Sequence, residues 1–157
     1  GEVLHLSQLV AKLISEGKIT PEKDFGGLKV TYHDPCYLGR HSGVYEEPRS
    51  ILKAIPGLDF IEMERNREQS MCCGGGGGGL WMEKAKGERL SDERLTEAME
   101  AGAAVLATAC PYCIAMFEDS IRTLNVDEQI KVRDVTELLL ESLGINVDEP
   151  VIDTCAL

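Results

Sequence analysis

Five of the six cysteines fall in the pattern C-x35-C-C-x36-C-x2-C, formed by Cys36, Cys72, Cys73, Cys110 and Cys113. Thiolates bind soft metals, attack disulfides and carry electrons within clusters. In a chain of this size without a secretory signal, paired and clustered cysteines point to a metal or redox site before a disulfide framework. A C-x-x-C by itself is shared by zinc sites, iron–sulfur sites and thiol redox motifs. A vicinal pair and a fifth cysteine at near-equal spacing make the set a strong signal for metal. Zinc and ordinary cubane clusters each take four protein ligands, so five converging sulfurs exceed both needs. The excess leaves two solutions: a multi-iron cluster with a bridging thiolate, or a four-ligand site with one free, reactive sulfur. Adjacent cysteines crowd a single small ion, but they can span two irons.

Six glycines, Gly74 to Gly79, follow the vicinal pair. Without side chains, Gly74, Gly75 and Gly76 let the backbone approach a bulky sulfide core and adopt positive φ. Their N–H groups, with the N-terminus of a following helix, can offset the charge of a metal–sulfur centre. The run also matches the dinucleotide fingerprint G-x-G-x-x-G, but any six consecutive glycines do so trivially. A flexible linker is the bland alternative.

These residues need a frame that brings them together. Leu6, Leu9, Val10, Leu13 and Ile14 recur at helical spacing, and Gly17 is a stop. Leu28 to His33 reads as a strand ended by Asp34-Pro35, with Cys36 directly after. A short helix is expected from Pro48 to Ala54, closed by Pro56-Gly57. Leu58 to Met63 alternates as a second strand. Leu80 to Ala101 is rich in helix formers and is expected as two helices, split near Gly87 and Ser91-Asp92. Ala103 to Thr108 suits a buried parallel strand; Cys110-Pro111-Tyr112-Cys113 follows it, and Ile114, Met116, Phe117, Ile121 and Leu124 outline the next helix. Ile130 to Arg133 is a fourth strand, and Val135 to Leu143 a last helix. The expected fold is therefore α/β: a mostly parallel open sheet of about four strands with helices on both faces. Cys36, Cys72-Cys73 and Cys110/Cys113 would all follow strand carboxyl ends, the edge where such sheets place ligands.

Composition bounds the rest. At 157 residues with 43% hydrophobic and 27% charged side chains, the chain reads as one soluble domain. The expected organisation is a helix and linker over 1–27, a cysteine-rich domain over 28–145 and a tail over 146–157. A net charge of −11 disfavours nucleic-acid binding. The start has neither a basic nor an apolar leader segment, no stretch is long enough for a membrane span, and the missing initiator Met suggests a piece of a longer protein or a processed form.

At Val30-Thr31-Tyr32-His33-Asp34-Pro35-Cys36-Tyr37-Leu38-Gly39-Arg40, Cys72-Cys73-Gly74 and Cys110-Pro111-Tyr112-Cys113, the sequence resembles the cysteine-rich CCG domain. That domain occurs in the heterodisulfide reductase catalytic subunit and in related iron–sulfur oxidoreductases, commonly as two copies; this chain looks like the C-terminal copy. The resemblance covers residues 28–143. It implies that Cys36, Cys72, Cys73, Cys110 and Cys113 together hold a non-cubane [4Fe–4S] cluster, with zinc as the alternative seen in some family domains. It further implies an electron-transfer domain of an oxidoreductase, working between a flavin- or ferredoxin-bearing partner and a disulfide or quinone acceptor. The expected setting is the cytoplasm in anaerobic metabolism, with any membrane association made through another component of the complex.

Two rivals stand beside this reading: a structural zinc domain for subunit assembly, and a metal-free thiol–disulfide module. His33 and His41 flank Cys36 and are candidate proton donors, because disulfide or quinone reduction consumes protons; hydrogen-bonding structural roles are the alternative. Arg40 and Arg49 could offset cluster charge or sit at the surface or a helix end. Asp34-Pro35 is expected to set a turn, Trp81 to pack, and Cys155 to be a spare thiol.

Overall fold

The computed structural model describes residues 1, 3–82 and 84–145, so the expected tail and Cys155 lie outside the described residues. Four strands, β1 (Leu28–Tyr32), β2 (Leu58–Phe60), β3 (Val105–Thr108) and β4 (Lys131–Asp134), form one sheet in the order β2-β1-β3-β4. Every pairing is parallel, with Val30 opposite both Phe60 and Val105, and Ala107 opposite Arg133. All four carboxyl ends therefore share one edge. Helices α1 (Leu6–Ser15), α2 (Glu46–Ala54), α3 (Leu90–Glu100), α4 (Pro111–Leu124) and α5 (Val135–Ser142) complete the fold.

The period of two along each strand separates two cores. Val30 and Tyr32 of β1 and Val105 and Ala107 of β3 face one side, where Val10, Ile51, Leu52, Leu138 and Leu139 bring in α1, α2 and α5. Leu106 faces the other side and meets Leu95 and Ala98 of α3 and Met116 and Phe117 of α4. Strand β3 is buried along its whole length, as its apolar run requires. Each fully buried Leu or Ile here contributes about 1.5–3 kcal/mol of transfer free energy. The second core also contains Cys73 and Cys113, so the candidate site is continuous with the packed interior.

Three elements differ from their sequence expectations. Helix α2 begins at Glu46, which leaves Pro48 inside the first turn; its missing N–H costs nothing there because first-turn donors have no helical partner. Strand β2 stops at Phe60, because Glu62 turns to meet Arg49 and Met63 enters the second core. Of the two helices expected between Leu80 and Ala101, α3 is the one found among the described residues. Gly87 adopts φ +81° and its N–H is taken by the Asp92 carboxylate at 2.9 Å. Trp81 and Met82 are exposed, so the segment before it has good helix formers but little apolar surface to bury. Among the described residues, no helix is long and apolar enough to cross a membrane.

Candidate metal centre

Each cysteine is positioned by the element that ends beside it. Cys36 lies past the end of β1, at the entry to a five-residue π-helical turn, Tyr37–His41. Cys110 occupies the N-cap of α4, Pro111 takes the first helical position, and Cys113 falls in the first turn. The N–H groups of this helix start therefore point at sulfur. Cys72 and Cys73 arrive on the loop between β2 and the glycine run, and the Gly74 N–H donates to the Cys72 sulfur at 3.3 Å.

Four of the five sulfur-bearing residues, Cys36, Cys73, Cys110 and Cys113, line one cavity of about 340 Å³. Gly75 to Gly78 form its other wall, and Tyr37, Trp81 and Tyr112 stand at its rim. Cys72 is not on that lining, but it lies close enough to Cys73 and Cys36 for their charges to act on it. Cys73 and Cys113 are buried with their sulfurs 3.4 Å apart. The ligating atoms of His33, Cys73 and Cys113 all lie within 4.8 Å of one another.

The thiols divide by environment. Hydrogen bonding to Cys113, then to His33 and the Gly75 N–H, pulls Cys73 down to about 4. Cys110 is lowered to about 6, by its bond to Cys113 first and then by the N–H groups of Cys113 and Tyr112. Cys113, which donates to both, is held protonated. Burial pushes Cys72 up. Metal ligation requires thiolate, and two of these sulfurs are already biased towards it. Among the described residues the lining offers sulfurs and bare backbone, with one imidazole nearby and no carboxylate, which is a soft donor set. These residues fit an iron–sulfur centre.

The glycine loop is tight where it closes. A Cβ on Gly79 would lie 1.9 Å from the Gly74 carbonyl oxygen, whereas one on Gly76 would meet nothing within 4 Å. Gly79→Ala therefore must displace backbone, and we expect it to lower stability by roughly 1–3 kcal/mol, as other overpacking substitutions do. Gly76→Ala should melt with the unsubstituted protein when both are metal-free. Equal thermal midpoints for the two variants would contradict the close approach.

Other expected residues land differently. His33 is buried beside Cys73, while His41 is exposed and packs on Tyr37 with ring centroids 4.9 Å apart. Arg49 is not at the surface: it is fully buried, bidentate to Asp34 at 2.6 and 2.8 Å and also bonded to Glu62. Asp34 is thus an ion-pair partner as well as a turn residue. Arg40 reaches the Ser70 carbonyl at 2.8 Å, just before the vicinal pair. Trp81 does not pack in the interior; it is 85% exposed. Arg94 escapes the sequence reading, although a signal for it is present. Ser91, Arg94, Leu95 and Ala98 share i, i+3, i+4, i+7 spacing, which places an arginine on the buried stripe of α3.

A doubly covered parallel sheet with a cysteine-lined cavity at its carboxyl edge defines a class of α/β domain that gathers thiols at one site. The family model described as "Cysteine-rich domain", CCG, matches residues 30–118. The chain belongs to the CCG cysteine-rich domain family. It is 44% identical to the protein named "Probable iron-sulfur-binding oxidoreductase FadF" of Bacillus subtilis, over 91% of this chain and 20% of that protein. It is 40% identical to the EtfAB:quinone oxidoreductase of Syntrophomonas wolfei, over 90% of this chain and 21% of that protein. A component of the dihydromethanophenazine:CoB–CoM heterodisulfide reductase of Methanosarcina barkeri is 41% identical, over 92% of this chain and 35% of that polypeptide. The chain thus spans between 20% and 35% of the length of these relatives.

Proposed function

We propose that this domain is an iron–sulfur electron-transfer unit of a larger oxidoreductase. Cys36, Cys72, Cys73, Cys110 and Cys113 would hold a [4Fe–4S] cluster of the non-cubane type, with Gly74, Gly75 and Gly76 cradling it. The observation that carries this reading is the meeting of Cys36, Cys73 and the α4 pair Cys110 and Cys113 on one cavity, with no carboxylate among the described residues that line it. Similarity to a protein named as a probable iron–sulfur-binding oxidoreductase and to a heterodisulfide reductase component supports it. A cluster bound here supplies one-electron storage and transfer.

The chain's own residues do the remaining work. The cysteines ligate, and the N–H groups of Gly74 and Gly75 and of the α4 start offset negative charge at sulfur. The sheet edge holds the ligands at fixed separation. Electrons would pass between a flavin- or ferredoxin-bearing partner and a disulfide or quinone acceptor. A structural zinc ion is the second reading, favoured by the close His33, Cys73 and Cys113 donor set.

Metal and acid-labile sulfide per chain, measured after anaerobic reconstitution, decide between the two. We expect about four iron and about four sulfide, with an EPR signal in one redox state. About one zinc with no sulfide would make this a structural module and remove the electron-transfer reading.

A further inference from the structure

Behind the cysteine cavity lies a buried polar column. Arg94 is fully buried, and its donors are fixed on every side. Nη1 bonds the Arg65 carbonyl at 2.7 Å and Glu97 at 2.8 Å; Nη2 bonds the Ser70 hydroxyl at 3.2 Å; Nε reaches Nδ1 of His33 at 3.3 Å. A guanidinium carries donors and no acceptor. Nδ1 of His33 must therefore be the bare, accepting nitrogen, which leaves the proton on Nε2.

The ring cannot turn to escape this assignment. Its edge-to-face contact with Phe117, at 4.8 Å between centroids and 79° between planes, fixes the ring plane. The His33 backbone is tied to β3 through its N–H to Ala107 and its carbonyl to the Thr108 hydroxyl. With Nδ1 taken by Arg94, Nε2 is the ring nitrogen left for sulfur: the ligating atoms of His33, Cys73 and Cys113 lie within 4.8 Å of one another, and His33 helps to lower the Cys73 thiol.

We propose that His33, its tautomer set by Arg94, is a permanent Nε2–H donor to the Cys73 sulfur that raises the reduction potential of the metal centre. This rests on the iron–sulfur reading above. His33 then acts as a positioning and tuning residue that keeps its proton. A hydrogen bond to a ligand sulfur withdraws electron density from it and so favours the reduced, more negative state. Arg94 is the positioning residue behind it. Because Arg94 also grips Ser70, ahead of Cys72-Cys73, it couples the tautomer lock to the loop that delivers the vicinal pair.

The test is a potentiometric titration followed by EPR on reconstituted protein, with iron and sulfide counted for every sample. In His33→Phe we expect the ratio of reduced to oxidised centre at a fixed potential to fall about tenfold, equivalent to about 59 mV for a one-electron couple. His33→Gln, which can keep an N–H toward sulfur, should recover part of the shift. Arg94→Met should also lower the ratio. Combined with His33→Phe it should add little, because Arg94 acts through His33. Pulsed EPR should also detect an exchangeable proton coupled to the centre in the unsubstituted protein that is missing in His33→Phe, which keeps the Gly74 and Gly75 N–H groups. Full iron and sulfide with an unmoved potential in His33→Phe would overturn this inference alone, as would absence of that coupling. An unsubstituted protein that binds no iron would instead remove the iron–sulfur reading beneath it.

Discussion

Cys73→Ser protein, reconstituted anaerobically, is expected to hold less than about one iron per chain, against about four for the unsubstituted protein. Cys73 is the sulfur on which the site converges. It is buried, 3.4 Å from the Cys113 sulfur, and it is the thiol most strongly drawn towards thiolate, by hydrogen bonds from Cys113, His33 and the Gly75 N–H. Serine at this position keeps the volume close but offers a hard, protonated oxygen where a soft thiolate is needed. Cys113→Ser should behave in the same way, since it removes the other buried sulfur of the pair. Cys155→Ser, outside the five-cysteine pattern, should load normally. Iron and sulfide assays on the three variants, with circular dichroism to show that each is folded, make the comparison. Normal iron in Cys73→Ser would mean that the sulfurs meet in this cavity for some purpose other than holding a cluster.

The second large effect concerns stability. Arg49→Met should destabilise the domain by about 3–5 kcal/mol, the usual result of removing one partner of a buried ion pair. Arg49 is clamped by both oxygens of Asp34, by Glu62 and by the Tyr45 carbonyl. Its loss leaves the Asp34 carboxylate, whose side chain is 2% exposed, with the Arg67 N–H as its remaining partner among the described residues. A shift of this size lowers the thermal midpoint by on the order of 10 °C in a domain of this length. Asp34→Asn added to Arg49→Met should recover part of the loss, because the unpaired charge goes with it. Additive effects of the two substitutions in thermal melts would show that the pair is not the unit of stabilisation. Asp34 lies two residues before Cys36, so this pair also fixes the turn that delivers that cysteine to the cavity.

The sequence carried the fold a long way because its signals were local and periodic. The apolar run around β3, the helical spacing in α1 and α4 and the placement of Cys36 and Cys110 just after β1 and β3 each act over a few residues. Parallel strands then bring those ends to one edge whatever lies between them. The failures were also physical. Good helix propensity between Leu80 and Arg89 made no α-helix among the described residues, because propensity without an apolar face to bury is too weak. Alternation to Met63 did not extend β2, because Glu62 found Arg49 in three dimensions.

Taken alone, the sequence determined the number and type of the candidate ligands, their even spacing and the glycines that allow backbone close to them. Residue chemistry and chain connectivity are sufficient for that. Only the tertiary structure decided which histidine meets the sulfurs, that Arg49 and Arg94 are interior cations with different partners, and which cysteines share one cavity. The partners in these contacts lie far apart in the chain: 61 residues separate His33 from Arg94 and 40 separate Cys73 from Cys113. Such contacts are set by how helices pack across the sheet, and no local pattern encodes them.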